Sequence, residues 1–257
     1  MAGLIALTFD TDHMSESRMD AFLKAFSWPG RAVIFCTQRY ACTSAADHEL
    51  APHPYLPEGG DWDGELKLKR EMFPNAVGWR SHSCVYSQML ALRLAREGFL
   101  YASTDEAWGH IGLVPSPSCW GLIQMPIYYM DTCDISRTLF WPTANHQPFD
   151  VALIDRALSL DGLFVLDFHP VHLMLNTPDV EYYLTRRQAF IDGAPLGELV
   201  HPGRGIATFF NELCSAMRAQ GGVSTALGSL ARQHRSTDLL SSLPPQRASV
   251  DARVHKE

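Results

Sequence analysis

Short apolar runs alternate with amphipathic helical segments along this chain. Residues 4–9 form the first run, which ends at Asp10, and residues 31–36 form a second run that contains β-branched side chains. Between them, residues 16–26 carry apolar side chains at three- and four-residue spacing, which predicts a helix. A strand, a helix and a strand in this order make a βαβ unit, because parallel strands need a long crossover connection. This part of the chain therefore predicts a parallel sheet.

The same alternation continues after this unit. Further helices are predicted at about 87–97, 150–160, 179–192 and 204–219, and further strands at 99–103, 122–129 and 163–168. In such α/β folds the functional residues gather at the carboxyl ends of the strands, where we expect Asp10 and His169. The length of 257 residues fits one main domain, which we assign to residues 1–222.

The C-terminal residues 223–257 differ in composition from the rest. They are rich in Ser, Gly, Arg, Gln and Pro, and their apolar pattern is weak. We therefore expect a polar tail or a peripheral segment whose removal leaves activity intact. The alternative is that the leucines of this stretch form a terminal helix that covers an open side of the main domain.

Charge and composition exclude several functions. The formal net charge of -7 does not favour binding to a nucleic-acid backbone, so no nucleic-acid partner is expected. No apolar run approaches the roughly 20 residues that span a bilayer, so no membrane span is expected. The N-terminus lacks the basic residues of a secretory signal, and the six cysteines show no CxxC spacing. The expected compartment is the cytoplasm, where thiols stay reduced.

Two short motifs place acidic and basic side chains near predicted strand ends. In LTFDTDH (7–13), Asp10 and Asp12 are two residues apart and share a face if the strand continues, so that one can bind a metal while the other stays free. In WRSHS (79–83), Arg80 and His82 share a face in the same way. Taken alone, an Asp pair of this kind more often caps a turn. The combination with other motifs therefore carries the prediction.

Histidines supply the remaining candidates. His48 and His53 flank a short segment, in which His53 lies between two prolines, and His169 ends the predicted strand 163–168. One aspartate and two histidines are a sufficient ligand set for a catalytic Zn²⁺, and they also fit a non-haem Fe(II) triad. The additional carboxylate and histidine favour hydrolysis, because hydrolysis needs a general base and a general acid.

The order of these segments, over roughly residues 4–177, resembles the polysaccharide deacetylases, also called the NodB-homology or carbohydrate esterase 4 family. Thr8-Phe9-Asp10 followed by Asp12 is similar to the T-F-D motif of the family, in a D-x-D variant. The RSH segment (80–82) resembles its arginine motif with a histidine added, and Leu166 with His169 resembles its strand-end motif.

Two other parts of the family pattern are matched less closely. Asp131 is the best positional match to the aspartate that orients the catalytic histidine of the family. The two histidine ligands of the family are usually four residues apart, whereas His48 and His53 are five apart. We therefore prefer His82 as the second histidine ligand, with His48 as the alternative.

The resemblance implies an α/β fold, a distorted (β/α)7 barrel of NodB-like type with a substrate groove at its strand ends. It implies that a divalent metal ion, with Zn²⁺ expected, is held by Asp12, His53 and His82. The catalytic residues that it implies are a general base, a general acid and the two residues that orient them: Asp10, His169, Arg80 and Asp131.

The expected function is metal-dependent removal of an N-acetyl or related acyl group from an amino sugar or saccharide, in polysaccharide or O-antigen-type glycan biosynthesis. The alternatives are a metal-dependent amidase or cyclic-imide hydrolase that acts on a non-sugar C–N bond, and a non-catalytic carbohydrate-binding protein of the same fold. Five aromatic residues near the motifs either stack on sugar rings or belong to the core: Tyr55, Trp62, Trp79, Trp120 and Trp141.

Overall fold

The computed structural model describes residues 3–45, 47–140 and 146–237. The strands are β1 (Leu4–Asp10), β2 (Val33–Cys36), β3 (Glu49–Pro52), β4 (Gly78–Trp79), β5 (Tyr101–Ala102), β6 (Ser116–Pro117), β7 (Ile123–Gln124), β8 (Ile127–Met130) and β9 (Leu163–Phe168). The helices are α1 (Glu16–Ala25), α2 (Trp62–Met72), α3 (Gln88–Arg96), α4 (Asp131–Phe140), α5 (Val151–Ser159), α6 (Pro170–Leu175), α7 (Val180–Ile191), α8 (Ile206–Ala219) and α9 (Leu227–Thr237). No helix within these ranges is long and apolar enough to cross a membrane.

The parallel strands form a closed ring. One sheet has the strand order β3-β2-β1-β9-β8, and a second has the order β4-β5-β7-β6, in which only the edge strand β6 is antiparallel. The two sheets meet where the Arg80 N–H donates to the Pro52 carbonyl oxygen at 3.3 Å, between β4 and β3. They meet again at residues 123–130, because β7 pairs with β5 while β8 pairs with β9. If β7 and β8 are counted as one strand and the edge strand β6 is left out, the described residues form a ring of seven parallel strands. This is the predicted distorted barrel.

Side-chain alternation along the strands separates two cores. In β1, Leu7 and Phe9 belong to the core between the strands and the outer helices, whereas Ala6 belongs to a second core with Phe35 and Val165. Successive side chains of a strand point to opposite faces, so this second core fills the inside of the barrel. Asp10 has the same parity as Ala6 and therefore faces the inside of the barrel at its carboxyl end.

Helix α9 covers the amino-terminal end of the barrel. Its Leu227, Leu230 and Ala231 are buried and belong to the inner core. Just before it, the Ser224 hydroxyl donates to the Arg31 carbonyl oxygen at 2.7 Å and accepts from the Leu7 N–H at 2.8 Å. The expectation of a polar tail therefore does not hold for residues 224–237. The apolar positions of one short helix were too few to show a clear pattern in a polar sequence.

Truncation after Gly222 is expected to destabilise the protein, contrary to the expectation from composition. It removes two buried leucines of α9, which contribute about 3–6 kcal/mol together at roughly 1.5–3 kcal/mol each. Urea denaturation of the full chain and of the truncated chain measures this loss. The control is truncation after Thr237, which keeps α9. An equal loss of stability in both variants would contradict a structural role for this helix.

Candidate active site

The predicted site residues lie at one end of the barrel. Asp10 ends β1, His53 follows β3, His82 follows β4, and His169 follows β9. Backbone hydrogen bonds continue the strand pairing past these ends, from the His53 N–H to the Cys36 oxygen and from the His82 N–H to the Pro54 oxygen, both at 2.8 Å. The side chains therefore start from well-defined backbone positions around the same opening.

Asp12, His53 and His82 form a compact cluster. Their potential ligand atoms all lie within 4.8 Å of one another. His53 Nε2 is 3.2 Å from Asp12 Oδ2, and His82 Nδ1 is 3.1 Å from Asp12 Oδ1. One carboxylate and two imidazoles are a donor set that suits Zn²⁺ and leaves a coordination position for water. These residues therefore fit a divalent metal ion.

Hydrogen bonds and neighbouring charges set the protonation of this cluster. His53 Nδ1 donates to the Arg80 carbonyl oxygen at 3.0 Å, which directs Nε2 toward Asp12. Burial would raise the pKa of Asp12, but hydrogen bonds from His53 and His82 lower it far below its ordinary value. Burial would lower the pKa of His53, but the charges of Asp10 and Asp12 raise it. A metal ion thus has an ionised carboxylate available and competes with protons on the imidazoles.

Arg80 connects two buried carboxylates. Its Nη1 donates to Asp10 Oδ1 at 2.9 Å and also to Asp167 Oδ1. Its other donors reach the carbonyl oxygen and the hydroxyl of Ser103, both at 2.8 Å. The guanidinium is fully buried and stacks over the Phe35 ring, with Cζ 4.2 Å from the ring centroid. Asp10 is therefore held in one orientation beside the potential metal ligands, with Oδ2 at 3.7 Å from His53 Nε2.

Replacing Arg80 with methionine is expected to lower the free energy of unfolding by about 3–5 kcal/mol, because removal of one partner leaves buried carboxylates uncompensated. Chemical denaturation of metal-free protein measures the change. Arg93→Met is the control, since the Arg93–Asp63 pair is exposed and contributes less than about 1 kcal/mol. Similar losses in both variants would show that the buried pair does not stabilise the fold.

His169 and Asp131 form a second hydrogen-bonded pair. Asp131 Oδ1 is 2.7 Å from His169 Nδ1, and Asp131 Oδ2 accepts from the His169 backbone N–H, also at 2.7 Å. The ring therefore points Nε2 toward the potential metal ligands, at 3.5 Å from Asp12 Oδ2. Burial would lower the pKa of His169, but Asp131 holds it well above its ordinary value. This arrangement keeps a proton on the imidazole.

Asp167 and Thr8 belong to the same network, although the sequence motifs did not single them out as site residues. The Thr8 hydroxyl donates to Asp167 Oδ1 at 2.7 Å and accepts from Arg80 Nη1 at 3.0 Å. Burial raises the pKa of Asp167 to about 7, although Arg80 opposes this rise. A signal was present, because an aspartate interrupts the apolar run 163–168 at an inward-facing position.

The structure does not bring His48 to this site. His48 precedes β3 and packs against Trp28, with ring centroids 5.0 Å apart. It lines a cavity of about 830 Å³. Glu49, Met72 and Arg232 also line this cavity, and none of the proposed site residues does. Of the two candidates for the second histidine ligand, His82 is the one that lies beside Asp12.

Two other groups of acidic and histidine side chains also have metal-ligand spacing: Asp10 with Asp167 and His169, and Asp131 with His169 and His172. In the first group both carboxylates already pair with the Arg80 cation. In the second, both Asp131 oxygens accept hydrogen bonds from His169. Asp12, His53 and His82 therefore form the better cation site among the described residues.

The aromatic residues that the sequence offered for sugar stacking differ in their exposure to solvent. Tyr55 is 68% exposed and lies against His82, with ring centroids 5.5 Å apart. Trp79 is buried in the core, Trp62 packs against that core, and Trp120 is partly exposed. Trp141 lies outside the described residues. Tyr55 is therefore the aromatic side chain that lies beside the proposed metal ligands.

Comparison with known proteins finds two similar solved structures and one family model. No curated protein matches the chain. A crystal structure from Bordetella bronchiseptica, of a candidate polysaccharide deacetylase (WbmS) involved in O-antigen biosynthesis, is 22% identical, with 83% of this chain and 90% of that chain covered and a TM-score of 0.69. A candidate polysaccharide deacetylase from Mycobacterium smegmatis is 17% identical, with 91% of each chain covered and a TM-score of 0.48.

The Bordetella structure shares the fold of this protein. A model of the family described as WbmS-like polysaccharide deacetylase matches residues 7–187. This range contains the carboxyl-terminal half of β1, all of β2 through β9 and every proposed site residue. Because the match extends over well more than half of the sequence, this chain belongs to the WbmS-like polysaccharide deacetylase family.

Proposed function

We propose that this protein is a metal-dependent deacetylase that removes an N-acetyl or related acyl group from an amino sugar or saccharide. The observation that carries the proposal is the convergence of three potential metal ligands beside a carboxylate and a histidine that suit acid–base chemistry. Family membership supports the reaction class. Metal-dependent hydrolysis of an amide uses all of these groups together, whereas sugar binding needs none of them.

Asp12, His53 and His82 are the residues that would hold the metal ion, for which we propose Zn²⁺. When bound there, the ion would supply Lewis-acid activation of a water molecule and of the acyl carbonyl. The protein contributes the orientation of the ligands, since the Arg80 carbonyl oxygen fixes the His53 ring at 3.0 Å.

Asp10 is the proposed general base. Its Oδ1 is bound to Arg80, which leaves Oδ2 directed toward the ligand cluster, 3.7 Å from His53 Nε2. Asp10 takes the proton of the attacking water as the new C–O bond forms. The pairing with Arg80 holds the carboxylate in one orientation.

His169 is the proposed general acid. Asp131 accepts from Nδ1 and fixes the ring, so Nε2 is the atom that gives its proton to the departing amine nitrogen as the C–N bond breaks. The base and the acid approach the substrate from different strands, β1 and β9, which pair in parallel. One active site can therefore accept and donate protons within a single turnover.

We further propose that the reaction belongs to polysaccharide or O-antigen-type glycan biosynthesis, by analogy with the role ascribed to the Bordetella protein. A cytoplasmic location fits the six free cysteines of the chain.

The test is to incubate metal-loaded protein with N-acetylated amino sugars and to measure acetate and free amine. Chelator treatment should abolish release, and added Zn²⁺ should restore it. Small amides and cyclic imides are tested in parallel. Hydrolysis of the imides alone would favour the amidase alternative, and sugar binding without any hydrolysis would favour a binding protein.

A further inference from the structure

A row of contacting side chains crosses the opening of the barrel. Tyr55 contacts His82, and on the other side of Asp12 the His169 and His172 rings are 5.5 Å apart. The row then continues from His172 to Tyr183, at 4.4 Å between ring centroids, and from Tyr183 to Arg187, whose Cζ lies 5.9 Å from the ring centroid. The proposed metal site thus lies between an exposed tyrosine and an exposed arginine.

Tyr55 offers an aromatic surface at one end of this row. It is two residues beyond the ligand His53, and 68% of its surface is exposed. The apolar face of a sugar ring can pack on an exposed tyrosine ring. Tyr55 is therefore placed to hold the sugar whose acyl group reaches the metal ligands.

Arg187 offers a positive charge at the other end. Within the described part of the chain it makes no ion pair with a carboxylate, and its guanidinium faces the Tyr183 ring. Burial raises the pKa of the Tyr183 phenol to about 12, and the nearby Arg187 charge opposes this rise. Tyr183 packs in turn on His172, next to the proposed acid His169. Arg187 is therefore available to a substrate that occupies the site.

The charges of the inner site are largely paired, whereas Arg187 is a cation at the rim. Arg80 pairs with Asp10 and Asp167, and His169 pairs with Asp131. An arginine suits an anionic substrate because its planar guanidinium binds carboxylate or phosphate through two hydrogen bonds.

We propose that the preferred substrate is an acylated amino sugar that carries an anionic group, a carboxylate or a phosphate, which Arg187 binds while the sugar ring packs on Tyr55. This inference rests on the proposed function and names its substrate class. The neutral acyl amide then enters the inner site, and the negative charge of the substrate stays at the rim.

The experiment compares kcat/KM for three substrates of metal-loaded enzyme: a neutral N-acetylated amino sugar, its 6-carboxylate and its 1-phosphate. The wild type should prefer one of the anionic substrates by about tenfold or more, the usual size of a charge-assisted contact. Arg187→Ala should lose this preference with little change for the neutral sugar. Whichever anion shows the loss identifies the group that Arg187 binds.

Arg186→Ala is the matched control. Arg186 is the neighbouring residue of α7, and its guanidinium lies over Tyr182, 5.6 Å from the ring centroid, instead of over Tyr183. This variant should keep the preference. Equal losses for all three substrates in Arg187→Ala, or an unchanged preference, would overturn the proposal.

Binding separates this inference from the proposed function. Calorimetry with metal-loaded Asp10→Asn protein measures the affinity for the same three sugars without turnover. Tighter binding of an anionic sugar that disappears with the additional change Arg187→Ala supports the subsite even if no substrate is hydrolysed. Equal affinity for neutral and anionic sugars would reject it.

Discussion

Asp10→Asn is expected to bind the metal as the wild type does and to lose at least about a hundredfold in kcat. A positioned general base contributes roughly 10²–10⁴-fold to the rate, and an amide does not accept the proton of the attacking water. The shape of the side chain is nearly unchanged, and the three proposed ligands are not altered. Arg80 keeps a partner in the variant, because it also donates to Asp167.

Metal content and initial rates of the purified variant measure this result. Asp105→Asn is the matched control, since Asp105 lies just beyond β5 at the same end of the barrel but is exposed and outside the network. It should keep full activity. Loss of the metal in Asp10→Asn would instead identify Asp10 as a ligand, and retention of activity would exclude it as the base.

His53→Ala and His82→Ala are each expected to weaken metal binding by more than about a hundredfold. Changes to the hydrogen-bond partners of ligands alone weaken binding by roughly 10–100-fold, and removal of a ligand should weaken it further. Each variant leaves two of the three protein ligands that a catalytic zinc site commonly uses. Metal titration of the apo protein gives the affinity and the stoichiometry.

His48→Ala is the control for both variants, and its metal affinity should equal that of the wild type. His48 contacts Trp28 and not Asp12. If His48→Ala loses the metal while His82→Ala retains it with full stoichiometry, the assignment of the second histidine is wrong. Thermal unfolding of all three variants verifies that a lost site does not reflect a lost fold.

The parallel fold could be predicted because its longest strands are continuous apolar runs. The predicted βαβ unit is confirmed by the parallel pairing of Thr8 with Val33 along β1 and β2. The strand predicted at 163–168 and the helix predicted at 204–219 also agree with β9 and α8. A strand of two residues, such as β4, is too short to show a period in sequence, so its pairing follows from the closure of the barrel.

The choice between His48 and His82 shows why spacing alone was insufficient. His48 and His53 flank β3 at its two ends, and a strand rises about 3.3 Å per residue. The two side chains therefore lie at opposite ends of the barrel, although they are close in sequence. His82 reaches Asp12 because β4 runs beside β3 in the same direction, which a pair of residues does not reveal.

The sequence by itself determined that carboxylates and histidines lie at strand ends. An apolar run followed by Asp10, or by His169, places a polar group where a parallel strand leaves the core. Only the tertiary structure decided which of these groups meet. Arg80, which follows β4, binds both Asp10 at the end of β1 and Asp167 in β9. Helix α9 closes the other end of the barrel. Such contacts depend on which strands are neighbours and in what register, and that information is distributed over the whole chain.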